Sequence, residues 1–216
     1  MRVKSNLDTI IYDHIVDSLI CGEYKMGQKI LLDEFAEKYE VSRTPVIQAV
    51  KLLANDGLLE TMSNGRIVVP SFEYEQIKEV CETRLLIEQY AIKKILDNYS
   101  ESVSLIEALE ISAAKCKRQM EDKEYLELTK TDLRFHRLLV DAAHNEFLSE
   151  IYRRVQGRFI VANYLVLPLE KRDFAHTVND HFLLIEYLKN NDLEKAIEFI
   201  QQHINNICNI IINRED

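Results

Sequence analysis

Tryptophan is missing from this chain of 216 residues, and glycine (5), proline (3) and cysteine (4) are scarce. So few turn formers leave little room for long irregular loops or an all-β architecture. With abundant Leu, Ile, Glu and Lys they favour a mostly helical protein. The cysteines, Cys21, Cys81, Cys116 and Cys208, stand far apart without a CxxC pair. That spacing excludes a zinc ribbon or a dithiol redox motif, and reduced, buried thiols are expected. No apolar run reaches membrane-spanning length, since Ile10-Ile11 is followed at once by Tyr12-Asp13-His14, so the expected location is the cytoplasm and no membrane partner is expected. Positive charge is not in excess either: the formal net charge is −9, and even the first 70 residues hold slightly more acidic than basic side chains. A general nucleic-acid coat is thereby excluded; contact with phosphates would need a local basic strip, which dimerisation would double.

What the sequence does contain is clearest between Leu32 and Pro70. Leu32, Phe35, Ala36 and Tyr39 recur at helical spacing, and Val46, Ala49, Val50 and Leu53 do so again after a short turn. Ser42 is placed to cap the second helix, and Pro45 suits its first turn, where a missing N–H costs nothing. Asn55-Asp56-Gly57 ends that helix. Leu58-Leu59-Glu60-Thr61 and Arg66-Ile67-Val68-Val69 then flank Ser63-Asn64-Gly65, a hairpin turn signal. Helix, turn, helix and hairpin in that order predict a winged helix-turn-helix, with strand confined to the wing. In such a module the second helix enters the major groove while hydroxyls, backbone amides and the wing hold phosphates. The candidate DNA-contacting residues are Ser42, Arg43, Thr44, Gln48 and Arg66.

The run VSRTPV, followed by Ala49, Leu52-Leu53 and Gly57-Leu58-Leu59, resembles the DNA-binding domain of the GntR family of bacterial transcription regulators. Ile11, Ile15, Leu19 and Ile20, then Gly27-Gln28-Lys29-Ile30, match that family's first helix and the loop after it. The chain departs from the family at Ile47-Gln48, where Arg-Glu is usual. The family's Arg at the position of Ile47 commonly touches DNA, so the resemblance implies altered or weaker readout here, with Arg43 retained.

After Pro70 the pattern is helix after helix, near 73–98, 101–120, 122–143, 146–166, 170–190 and 192–214. The breaks fall at Asn98-Tyr99-Ser100, Asp122, His144-Asn145, Pro168 and Asn190-Asn191-Asp192. Loops this short imply antiparallel neighbours in a bundle. Residues 1–70 are therefore read as a winged helix-turn-helix domain and residues 71–216 as an antiparallel all-helical domain, joined without a Gly/Ser linker. Asp132 and His136 lie four residues apart and project from one helix face, and His181 and His203 sit on two later helices that a bundle can bring to the same point. Three imidazoles and one carboxylate suit Zn²⁺, Ni²⁺, Mn²⁺ or Fe²⁺ rather than Ca²⁺. The alternative from spacing alone is a set of packed, hydrogen-bonded histidines. His144 and His176 are assigned to capping or surface roles. Arg84 offers a bidentate fork for a carboxylate, with an ion pair to Glu88 or Glu82 as the competing assignment. Tyr90, Tyr152 and Tyr164 are candidates to line the cavity, but their apolar neighbours favour core packing.

The second half resembles the FCD ligand-binding domain of the FadR subfamily of GntR regulators. The resemblance is carried by Glu82-Thr83-Arg84-Leu85-Leu86-Ile87-Glu88, Asp132-x-x-Phe135-His136, Asn145-Glu146-Phe147-Leu148, His181 before Phe182-Leu183-Leu184-Ile185, and His203 after Ala196. It implies a divalent metal held by Asp132, His136, His181 and His203, Arg84 facing a ligand cavity, and a homodimer. The expected function is a DNA-binding regulator, most simply a repressor, controlled by a small organic acid at the metal. Its partner is double-stranded operator DNA. A regulator whose metal is structural or is itself the signal is the rival reading. A metal-dependent enzyme is disfavoured, because no general acid or base accompanies the ligands and the DNA module would be idle.

Overall fold

The computed structural model describes residues 7–99, 102–167 and 169–212. These fall into two compact units. One holds the described residues of Met1–Glu73 and Arg153–Pro168, the other those of Tyr74–Tyr152 and Leu169–Asp216.

The first unit opens with α1 (Leu7–Ile20), then β1 (Lys29–Ile30), α2 (Leu32–Lys38), α3 (Arg43–Asn55), β2 (Glu60–Thr61) and β3 (Ile67–Val68). Ile11, Ile15 and Leu19 of α1 pack with Phe35 of α2 and Val46, Ala49, Val50 and Leu53 of α3 in one core, all buried. Each helix contributes a single apolar stripe, which is why the 3.6-residue spacing was so clear. Glu40, with φ of 52°, makes the turn between α2 and α3. Ser42 occupies the N-cap of α3 in extended conformation, yet its hydroxyl makes no capping hydrogen bond, so the expected cap is a matter of backbone shape only. The hairpin closes as expected: Met62 N–H donates to the Arg66 carbonyl at 2.8 Å, and Gly65 takes a φ of 77° that side chains disfavour. Strand is not confined to the wing, however. Lys29–Ile30 pairs antiparallel with Val68 and Ile67, giving the sheet order β1-β3-β2. Two residues carry no alternation, so this strand had no local signal.

The second unit contains α4 (Tyr74–Asp97), α5 (Val103–Glu121), α6 (Tyr125–Asp141), the start of α7 (Glu146–Tyr164), α8 (Phe174–Lys189) and α9 (Leu193–Ile212). Its core gathers Ile92, Leu109, Phe135, Leu139, Leu184, Leu188, Ile200 and Ile204. Breaks between helices come at left-handed residues that are not glycine: Lys123, His144 and Asn191, with φ near 50–59°. This is how a glycine-poor chain stops its helices, and it explains why polar clusters rather than glycines marked the breaks. The helix expected to begin near residue 170 starts at Phe174 instead. A 3-10 turn at Leu169–Lys171 precedes it, and Asp173 caps it by accepting from the backbone N–H groups of Ala175 and His176. The expected breaks at Ser100 and Pro168, and the predicted ends at 101 and 213–214, lie outside the described residues. None of the four cysteines forms a disulfide; three are buried as expected, but Cys21, just past the end of α1, is exposed. Among the described residues no helix is long and apolar enough to cross a membrane.

Leu53 has no solvent exposure within the three-helix core. Leu53→Ala should cost about 2–5 kcal/mol of unfolding free energy in urea titration, with the m-value unchanged.

Candidate metal centre and nucleic-acid interface

The amphipathic pattern of α6 turns Asp132 and His136 inward on the same face as Leu128 and Leu139, all buried. His181 of α8 and His203 of α9 are buried as well. Their side chains meet. The Nε2 atoms of His181 and His136 stand 3.2 Å and 3.9 Å from Asp132 Oδ1, and one ligand atom from each of the three histidines lies within 4.8 Å of the others. Donors bound at about 2 Å to one ion are separated by roughly 3–4 Å, so this spacing needs little adjustment to accept a metal. Asp132 Oδ1 and Nε2 of His136, His181 and His203 are all buried without a hydrogen-bond partner in the protein. Buried polar atoms are rarely left so, and three imidazole nitrogens that face one another, with a carboxylate oxygen beside two of them, are what a cation would satisfy.

A second layer fixes the rings. His136 Nδ1 lies 2.8 Å from Glu88 Oε2, and His203 Nδ1 lies 2.7 Å from Asp180 Oδ2. An ionised carboxylate only accepts, so each Nδ1 carries the proton and each Nε2 presents its lone pair to the centre. His181 is held differently, its ring stacked on Phe135 with centroids 3.9 Å apart. Glu88, fully buried on α4, also accepts from Arg84 Nε–H and from the Tyr152 hydroxyl, each at 2.7 Å. Burial works to raise the Glu88 carboxyl, yet adjacent His136 and Arg84 hold it well below the usual carboxylate range. Burial likewise opposes charge on Asp132, but the approach of His181, with His136 and Arg84 beyond it, keeps it ionised. For His136 burial prevails and takes the imidazole down to about 4, so it is neutral at pH 7, the form that binds metals. Burial, with the Glu88 charge, pushes the Tyr152 hydroxyl well above its ordinary value, so it remains a donor.

On the first unit, α3 exposes Arg43, Thr44 and Gln48, with Ile47 half-buried between them, and the wing exposes Arg66. The Arg43 guanidinium grips the carboxylate of Asp33 on α2 through Nε and Nη2, both side chains being open to solvent.

Residues 7–69 match the gntR family of bacterial regulatory proteins, and residues 79–206 match the FCD domain. The chain belongs to the GntR family, with an FCD domain as its second module. It is 27% identical to the HTH-type transcriptional regulator YdhC of Bacillus subtilis over 91% of this chain and 87% of that one. The gluconate operon transcriptional repressor of the same organism is 25% identical, over 88% and 78%. In fold the chain is similar to E. coli McbR/YncC, with a TM-score of 0.75 at 20% identity, covering 96% and 98% of the two chains. This GntR-family chain is accordingly a DNA-binding transcription regulator and not an enzyme.

Within this GntR regulator, the structure gathers His136, His181 and His203, with Asp132 beside His181 and His136. Arg84, read from sequence either as a ligand clamp or as an ion-pair partner, makes the ion pair with Glu88. Sequence reasoning missed Asp180, although it adjoins His181, and left Tyr152 as core packing. It set aside His176, which is exposed but pairs with Asp180 Oδ1 at 3.0 Å. His144 is exposed at the left-handed helix end, in keeping with a capping place.

If Asp180 sets the His203 tautomer, Asp180→Asn should weaken zinc affinity about 10–100-fold in a chelator competition, while Asp180→Glu recovers part of the loss. Unchanged affinity in Asp180→Asn would remove that role.

Proposed function

We propose that this GntR-family regulator is an operon repressor whose helical unit holds a divalent metal through Asp132, His136, His181 and His203, and that a small carboxylate metabolite bound there controls operator binding. The observation that carries this reading is the meeting of three buried imidazoles with unspent nitrogens, two of them on rings oriented by second-layer carboxylates, and with Asp132 Oδ1 beside His181 and His136. The donor set, three imidazoles and one carboxylate, suits Zn²⁺, Ni²⁺, Mn²⁺ or Fe²⁺. Such an ion would act as a fixed positive charge able to accept a carboxylate oxygen at an open position. Arg84 adds a second buried positive charge close enough to influence Asp132. The similarity to a gluconate operon repressor agrees with an organic-acid effector.

Operator contact is assigned to Ser42, Arg43, Thr44 and Gln48 at the start of α3 and to Arg66 on the wing, the exposed polar end of the reading helix and its hairpin. A two-fold operator calls for a homodimer. The second unit exposes Leu86 and Tyr90 on α4 and Phe147 and Ile151 on α7, helices joined by the Tyr152–Glu88 hydrogen bond, which offers an apolar face for it. The protein would act in the cytoplasm, where operator DNA is found.

A second reading, in which the metal is structural or is itself the signal, draws on the burial of all four donors. An ion there would pin α6, α8 and α9 together whether or not an acid follows. Metal analysis and a thermal-shift screen of organic acids on the purified protein separate the two. One metal per chain, absent from the His136→Ala/His203→Ala variant, is expected, and unchanged stoichiometry would refute the ligand assignment. A carboxylate response that fades in Arg84→Lys, which keeps the charge but loses the fork, supports the effector reading. Metal binding without any acid response favours the second reading.

For the DNA end, Ile47→Arg should tighten binding to the chain's own upstream DNA and steepen the salt dependence by about one phosphate contact, read by fluorescence anisotropy at several salt concentrations.

A further inference from the structure

Cys81 and Cys208 are buried nucleophilic groups of the helical unit that take no part in the metal centre described above. Cys81 lies on α4, on the face that also buries Ile77, Arg84 and Glu88, and Cys208 lies on α9 in line with Ile204 and Ile211. The two helices pack along the bundle, and both cysteines belong to its core cluster. There the thiols meet, the Cys81 S–H donating to the Cys208 sulfur. A buried cysteine also serves as a small apolar side chain, but apolar packing sets no requirement that two sulfurs touch. The hydrogen bond, together with burial, holds the proton on Cys81, and the same bond lowers the Cys208 thiol. Cys208 is also the more open of the two, at 7% exposure against 3%. Cys116 on α5 is the contrast: burial, with the nearby charge of Asp132, pushes its thiol up to about 12.

We propose that Cys81 and Cys208 form a reversible oxidation site, at which a hydroperoxide converts the thiol pair into a disulfide that staples α4 to α9. The site lies wholly within the helical unit and does not depend on a metal. Cys208 reacts first, as its thiolate, the form that attacks peroxide. A sulfur–oxygen bond forms as the peroxide O–O bond breaks, leaving a sulfenic acid on Cys208 and a hydroxide that takes up the proton Cys208 released. Cys81 then attacks that sulfur: the S–S bond forms, the S–O bond breaks, and the departing oxygen leaves as water with the Cys81 proton. Two thiols thus lose two electrons and two protons in all, and one hydrogen peroxide becomes two waters. Because the second thiol is already in contact, the sulfenic acid is intercepted before it can oxidise further. A dithiol reductant reverses the bond by exchange. The staple falls three residues before Arg84 on α4 and five after His203 on α9, so it fastens the seam between the helix that carries Glu88 and the one that carries His203.

The test treats the reduced full chain with hydrogen peroxide under native conditions, blocks the remaining thiols and maps the tryptic peptides by mass spectrometry. The expected product joins residues 79–84, which hold Cys81, to residues 196–214, which hold Cys208, and dithiothreitol releases it. The joined mass is two hydrogens below the sum of the two peptides. Exposed Cys21 serves as the control that peroxide has acted. Oxidation of Cys21 with Cys81 and Cys208 both intact, sulfinic acid on Cys208 with Cys81 untouched, or links to Cys21 or Cys116 alone would each overturn the site. So would an equal yield of the Cys81–Cys208 link in concentrated urea, where the fold no longer holds the thiols together. In Cys81→Ser, which keeps a donor to the Cys208 sulfur, the link should vanish and dimedone should label Cys208 as a trapped sulfenic acid. In Cys208→Ser, Cys81 should stay unlabelled; labelling of Cys81 instead would overturn the order of attack. The oxidised wild-type protein should melt about 4 °C or more above the reduced one, a gain that neither variant shows. An unchanged or lower melting temperature would overturn the staple, and this reading needs no variant to fold.

Discussion

Glu88 is a carboxylate held ionised with no access to water, and the centre of the helical unit is arranged around that constraint. A charge so placed is tolerated only when its lone pairs are filled, and here Arg84, Tyr152 and His136 fill them from three helices, α4, α7 and α6. Arg84 cannot lose its proton, so it supplies the permanent countercharge, while neutral His136 contributes a hydrogen bond and keeps its second nitrogen for the centre. Loss of one partner would strand a buried charge, which costs about 3–5 kcal/mol in comparable cases. The network therefore ties the register of three helices to the orientation of one imidazole. Geometry at the centre and stability of the bundle rest on the same few atoms.

What could be read from sequence, and what could not, divides along the range of the contacts. The stripe Val46, Ala49, Val50 and Leu53 and the turn Ser63-Asn64-Gly65 are local patterns, and they specified the reading helix and wing to within a residue or two. Asp132 and His136 announced themselves by their i,i+4 spacing, because one helical turn is enough to align them. His181 and His203 needed the family resemblance, since nothing local says that helices separated by a turn will bring two rings together. The Glu88 network joins residues 48 and 64 positions apart, and no periodicity encodes that. The same holds for Lys29–Ile30, a strand only because β3 offers it an edge, and for the second half of α7, whose membership of the winged-helix unit depends on glycine contacts at a distance of a hundred residues.

The scarcity of glycine noted at the outset takes on a sharper meaning in this light. Three helices end on left-handed Lys123, His144 and Asn191 rather than on glycine, at some cost to each turn. The glycines serve separate needs: Gly22 and Gly57 follow the ends of α1 and α3 at positive φ, Gly65 turns the hairpin in open space, and Gly57 and Gly157 sit where a Cβ would meet backbone at 2.8 and 1.8 Å.

The pairing of Arg43 with Asp33 bears on how the protein searches DNA. A guanidinium already gripped by a carboxylate offers little net charge to a passing phosphate, so the part of the affinity that depends only on charge is muted. A partner that displaces Asp33 from both guanidinium nitrogens must itself present two acceptors side by side, which a guanine edge and the two free oxygens of a phosphate group both do. In a chain with a net charge of −9, displacing Asp33 would be a cost on any contact Arg43 made with DNA. Asp33 is thus a resident competitor for Arg43, one that any partner of that guanidinium would have to replace.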